Sequence, residues 1–148
     1  MVTKTAFGYP TRKASGFDLN RLHVLIAVLQ KRAKLQLESY DIHINIAGGL
    51  TADEPAADLA IALAIASAYK DKPLGVDLVV FGEVGLGGEV RPIVQIEKRI
   101  KECEQLGLKR VLSNIGKNIS PSAREGTGGS GRIKILDIKN IQEIIKHT

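Results

Sequence analysis

The chain of 148 residues has no tryptophan, only six aromatic residues, three histidines and a single cysteine. Each shortage excludes something. One cysteine, Cys103, rules out an internal disulfide and any cysteine-rich zinc site. It falls on the apolar face of an expected helix and reads as a buried structural thiol. His23, His43 and His147 are scattered and no HExxH occurs, so no metal site is expected. An aromatic share of 4% argues against gripping single strands by base stacking. No apolar run reaches the ~18–20 residues that span a bilayer. The N-terminal stretch lacks an apolar signal core, so a cytoplasmic setting without a membrane partner is expected. No GxSxG elbow is present. Gly126-Thr-Gly-Gly-Ser-Gly131 lacks the Lys-Ser/Thr that completes a P-loop, so phosphoryl transfer is not expected.

What is present is a globular composition, 44% hydrophobic and 25% charged, long enough for one domain over 1–148 with a sizeable core. The net charge of +5 is unevenly spread. Residues 1–37 hold seven Lys/Arg and one acid, residues 38–94 three and nine, and residues 95–148 eleven and six. Two basic segments bracketing an acidic one point to a polyanion.

Hydrophobic periodicity orders the chain. Residues 1–16 read as a loop or edge segment. Asp18 is placed to cap a helix over Leu19 to Lys34, whose apolar face carries Leu22, Leu25, Ile26, Leu29 and Ala33. Ile42, Ile44 and Ile46 alternate with His43 and Asn45 as in a half-buried strand. A second helix, apolar nearly all round and therefore central, is expected from about Asp53 or Glu54 to Tyr69. Leu78 to Phe81 reads as a buried strand and Gly82 to Pro92 as a hairpin. A helix over Gln95 to Leu106 stops at Gly107. A strand at Arg110 to Ser113, a long flexible polar loop over Asn114 to Gly131, a strand near Ile133 to Ile138, and a short helix opened by Asn140 and Glu143 complete the order. The expected fold class is α/β (mixed α+β), two-layered, with a mixed sheet and about four helices.

Two stretches carry the functional signal: Gly48-Gly-Leu-Thr-Ala-Asp-Glu-Pro-Ala-Ala-Asp58 and Phe81-Gly-Glu-Val-Gly-Leu-Gly-Gly-Glu-Val-Arg-Pro-Ile93. They resemble the two active-site segments of Lon-type serine–lysine proteases. In that pattern the serine follows a proline at a helix start, and the lysine lies five residues beyond a second proline. Here those positions are Ala56 and Glu97, and the flanking glycines are Glu54 and Asp58. Such a hydrolase needs an attacking hydroxyl and a neutral amine within hydrogen-bond reach. Lys98 is one residue late, ~100° round a helix. The site is expected to be catalytically empty.

With Ser15-Gly-Phe-Asp-Leu-Asn-Arg-Leu22 added, the segments from Gly8 to Ser113 resemble the C-terminal Lon-protease-like domain of the RadA/Sms family of bacterial DNA repair and recombination ATPases. The resemblance implies a non-catalytic scaffold that supports ring oligomerisation as a homo-hexamer and contributes to double-stranded DNA binding, within a protein that extends branches of recombination intermediates. ATP, magnesium and zinc are implied only for family domains that this chain does not hold, so no cofactor is expected here. Candidate phosphate contacts are Arg12, Lys13, Lys31, Arg32 and Lys34 in the first basic segment. In the second they are Lys98, Arg99, Lys101, Lys109 and Arg110. Two alternatives remain: a peptidase with relocated residues, Lys98 and another serine, and a pure oligomerisation module without DNA contact.

Overall fold

Alternation of Ile42 and Ile44 with His43 and Asn45 requires a strand with one apolar face. The computed structural model, which describes residues 1–116 and 133–148, has it as β3 (Tyr40–Asn45). β3 is the centre of a three-stranded sheet. β1 (Val2–Lys4) lies antiparallel on one side and β2 (Arg12–Ser15) parallel on the other. The opening residues thus form both edges of this sheet, joined by a loop.

Asp18 caps α1 (Leu19–Arg32) as its position predicts, its carboxylate accepting the Arg21 N–H at 2.7 Å. The helix buries Leu22, Leu25, Ile26, Val28 and Leu29. It ends two residues before the expected Lys34. The N–H groups of Ala33 and Leu35 both donate to the Leu29 carbonyl, and Lys34 turns left-handed at φ 59, which closes the last turn.

The central helix also starts later than its apolar pattern predicts. A 3₁₀ turn, Pro55–Ala57, precedes α2 (Asp58–Lys70). The cause is a strap from the chain after β4 (Leu78–Val80). Gly82 N–H donates to the Ala56 carbonyl at 2.8 Å, and Leu59 N–H to the Gly82 carbonyl at 3.0 Å. α2 is more buried than α1 or α3, with Leu59, Ala62, Leu63 and Ala66 fully enclosed.

β5 (Glu83–Val84) and β6 (Val90–Arg91) form the expected antiparallel hairpin. α3 (Ile96–Gln105) buries Ile100 and Cys103 and stops before Gly107. β7 (Arg110–Ser113) is the centre of a parallel sheet, between β4 and β8 (Lys134–Asp137). The strands are therefore shared among a mixed sheet, a parallel sheet and a hairpin. The final helical segment, Ile141–His147, is 3₁₀ and opens on the expected capping box of Asn140 and Glu143. A polar loop from Asn114 onward is not what its first residues show. Asn114 and Ile115 are buried, because the Asn114 amide donates to the Val90 carbonyl and its oxygen accepts from Lys139 Nζ at 2.7 Å. Residues 117–132, the rest of that loop, lie outside the described residues.

Two clusters make up the interior. The larger joins α1, α2 and the first sheet to Ile141 and Ile144. The smaller gathers Ala56, Phe81, Ile100, Cys103, Val111, Ile115 and Ile133. Ala56 thus sits at the seam, where α2 begins and α3 packs over the parallel sheet.

Candidate functional site

A groove of about 500 Å³ opens at that seam, lined by Thr51, Ala52, Asp53, Glu54, Ala56, Ala57, Val80, Phe81 and Arg99. Ala56 is 6% exposed, its backbone held by Gly82. The residue at this point is thus fixed through its carbonyl, but its side chain is a methyl group. Glu97 lies exposed in the first turn of α3, and Lys98 is exposed beside it. Neither lines the groove.

The two acids on either side of Ala56, Glu54 and Asp58, both have partners. Glu54 pairs with Arg99, tying the segment before α2 to α3 at the rim of the groove. Asp58, 1% exposed, is the first residue of α2, where negative charge suits the helix dipole. Its carboxylate accepts from Arg21 Nε at 2.9 Å, from Arg21 Nη2, and from the Val84 N–H at 3.1 Å. Arg21 Nη2 also donates to the Val84 carbonyl at 2.9 Å. The bonded carboxylate raises the Arg21 guanidinium above its usual value, against the opposing effect of desolvation. One bidentate pair therefore locks α1, α2 and the hairpin together. Sequence reasoning missed Arg21. The available signal was an arginine beside Leu22 and one turn before Leu25, on the margin of an apolar stripe.

The basic candidates divide by what they touch. Arg12 donates to the carbonyls of Tyr40 and Leu37, the latter at 3.0 Å, and so ties β2 to the chain before β3. Arg99 is held by Glu54 and Arg110 by Asp77 at 2.7 Å. Lys13, Lys31, Arg32, Lys34, Lys98, Lys101 and Lys109 are exposed. Lys98 and Lys101 are three apart on α3 and share a face, opposite buried Ile100 and Cys103. Lys109 precedes β7. Lys31 and Arg32 instead rim an apolar hollow of about 260 Å³ with Val24, Ala27, Val28 and exposed Leu86. The first group belongs to β2, α1 and the residues just after it, the second to α3 and β7 with the residue before it. Among the described residues there is no group of three metal-ligating side chains and no helix long and apolar enough to cross a membrane.

Residues 24–148 match the family described as the Lon protease (S16) C-terminal proteolytic domain. The chain is also similar to proteins named DNA repair protein RadA. It is 41% identical to that of Bacillus subtilis over 99% of this chain and 31% of the relative. It is 40% identical to that of Streptococcus pneumoniae over 99% and 33%, and 38% identical to that of Halalkalibacterium halodurans over 100% and 31%. The chain spans about a third of the length of these relatives. On both counts it belongs to the Lon protease (S16) C-terminal domain family, as the Lon-protease-like domain of the RadA/Sms type.

Proposed function

We propose that this domain serves DNA repair as a non-catalytic scaffold that binds double-stranded DNA and self-associates, within a RadA/Sms-like recombination ATPase that works in the cytoplasm. The observation that carries the non-catalytic part is the groove at Ala56. Among the described residues that line it, the only hydroxyl is that of Thr51 and the only side-chain nitrogens belong to Arg99. A guanidinium stays protonated and cannot take a proton from a nucleophile. Glu54 and Arg99 close an ion pair at its rim.

Lys98, Lys101 and Lys109 are the phosphate contacts in this reading. All three are exposed, and Lys98 and Lys101 share one helix face. Phosphate neutralisation gives affinity with little sequence preference. The hollow between α1 and the hairpin tip, rimmed by Lys31 and Arg32 around Leu86, is the self-association surface, because a 74% exposed leucine beside apolar residues gains by being covered. A ring would raise DNA affinity without new contacts per subunit.

Two measurements test this. A fluorophosphonate probe and a casein substrate should leave the chain unlabelled and the substrate intact; labelling of one defined serine refutes the non-catalytic assignment. Anisotropy titration of a fluorescent duplex should show affinity that falls with salt, with a slope of about −0.9 per phosphate neutralised. No duplex binding even at low salt refutes the DNA role.

A further inference from the structure

The loop joining β1 to β2, residues 5–11, carries the most exposed aromatic rings of the chain. Phe7 is 94% exposed and Tyr9 96%. Elsewhere the rings are covered: Phe17 and Phe81 are at 9% and 7%, and the half-buried Tyr40 and Tyr69 pack edge to face at 5.1 Å. Two fully solvated rings on one short loop are a cost that a partner can repay.

The loop's base is fixed. Thr5 Oγ1 and the Thr11 N–H both donate to Asp41 Oδ1, at 3.0 and 2.6 Å. Thr5 N–H donates to the Ser39 carbonyl at 2.8 Å, and Arg12 holds the next residues to Leu37 and Tyr40. Pro10 restricts the backbone beside Tyr9. Rings presented from an anchored loop lose less freedom on binding than rings on a floppy one.

The surrounding charge selects the partner. Residues 1–16 contain Lys4, Arg12 and Lys13 and no acid. Asp41, the nearby carboxylate, is occupied by the clamp. Lys4 and Lys13 are exposed, and their side chains have no hydrogen bond or ion pair among the described residues. Rings flanked by unpaired cations suit a polyanion that offers flat apolar faces. Duplex DNA keeps those faces stacked away, whereas an unpaired strand displays them. Phe7 and Tyr9 are two residues apart, so their Cα atoms lie at most about 7 Å from each other, within reach of neighbouring bases. The low aromatic count argued against base stacking; the placement of these two rings argues for it.

We propose that the loop of residues 5–11 is a site for unpaired nucleobases, with Phe7 and Tyr9 stacking on successive bases and Lys4 and Lys13 meeting the phosphates. This deepens the reading of the domain as DNA-binding and rests on it, but uses residues other than Lys98 and Lys101.

The test measures binding of a fluorescent 20-nucleotide oligo-dT and of a 20-base-pair duplex to the whole chain. The double variant Phe7→Ala/Tyr9→Ala should lose at least tenfold in oligo-dT affinity while duplex affinity stays within twofold. Lys4→Gln/Lys13→Gln should reduce the oligo-dT salt slope by about 1.4. Tyr9→Trp places a single tryptophan in the chain, whose fluorescence oligo-dT should quench, and this reads stacking without removing a ring. The proposal is overturned if the wild type does not bind oligo-dT at low salt, if the double alanine variant binds it unchanged, or if duplex and oligo-dT affinity fall together. It is equally overturned if light scattering shows that the alanine variant lowers the oligomer mass, which would make the rings a subunit contact. For the wild-type chain, absence of duplex binding with oligo-dT binding present would sink the duplex reading alone; absence of oligo-dT binding with duplex binding present would sink this site alone.

Discussion

Asp58 is the residue on which most of the local architecture converges. It begins α2, accepts from Arg21 on α1 and from Val84 on the hairpin, and is 1% exposed. Removing one partner of such a pair leaves the other without compensation. Arg21 keeps a third of its side chain in solvent, so the penalty is below that of a fully buried pair. Asp58→Ala and Arg21→Ala should each lower stability by about 2–4 kcal/mol in urea unfolding, and the double variant should lose less than the sum. Additive losses would mean that the two side chains are not coupled. Half-buried carboxylates add a pH dependence. The Thr11 N–H, with help from the Thr5 hydroxyl, holds Asp41 below the usual carboxylate range. Arg110 does the same for Asp77, and backbone N–H bonding with Arg91 does so for Glu89. A carboxyl whose folded value lies below its unfolded one adds stability above the unfolded value of about 4, which is lost as pH falls through the folded value. Thermal melting should therefore fall from pH 5 to pH 2.5. Asp41→Asn, which keeps an acceptor for Thr11 but cannot titrate, should narrow the gap between the melting points at pH 7 and pH 3. A gap as wide as the wild type's would remove Asp41 from the cause.

At the scale of elements, the turn after β2 decides how the mixed sheet meets α1. Gly16 has φ +75, and a Cβ there would lie 2.5 Å from the Leu50 carbonyl oxygen and 2.8 Å from Ile46 Cβ. Gly8 has nearly the same φ, +78, with nothing within 4 Å. The two alanine variants therefore separate backbone strain from overlap. Gly8→Ala should cost about 1 kcal/mol, and Gly16→Ala about 2–4 kcal/mol with a lower melting temperature. Equal costs would show that segment 46–50 gives way freely. The elements themselves were largely legible: periodicity located α1, α2, α3 and β3, and the Asp18 and Asn140 caps were visible one residue at a time. Boundaries failed where a distant strand intervenes. Gly82 delays α2 through bonds that leave no mark on residues 53–58. At the candidate site the identities of Ala56 and Glu97 were legible, but the partners of Glu54 and Asp58 were not. Arg21 meets Asp58 across 37 positions and Arg99 meets Glu54 across 45, and no local pattern encodes such a pairing. Arg12 read as a free cation because composition counts charges and cannot see carbonyls.

For the whole molecule, the uneven charge becomes a division of surfaces. The basic residues of α3 and Lys109 belong with the parallel sheet and the smaller core cluster, while Lys31 and Arg32 border the apolar hollow against Leu86 on the far side of α1. If one surface meets DNA and the other meets a second copy, their functions should be separable by mutation, because sites with no shared partners act independently. Lys98→Gln/Lys101→Gln removes two cations from one face of α3 and should reduce the magnitude of the duplex salt slope by about 1.8, with the mass by light scattering unchanged. Leu86→Asp places a charge in the hollow and should lower that mass at a given concentration. It should leave the slope per subunit intact, while apparent affinity falls by the lost avidity. Opposite assignments, with α3 variants dissociating the assembly and Leu86→Asp flattening the slope, would exchange the roles of the two surfaces. Changes in both readouts from either variant would mean that DNA contact and self-association share one face, and the division of labour inferred from the charge pattern would fail.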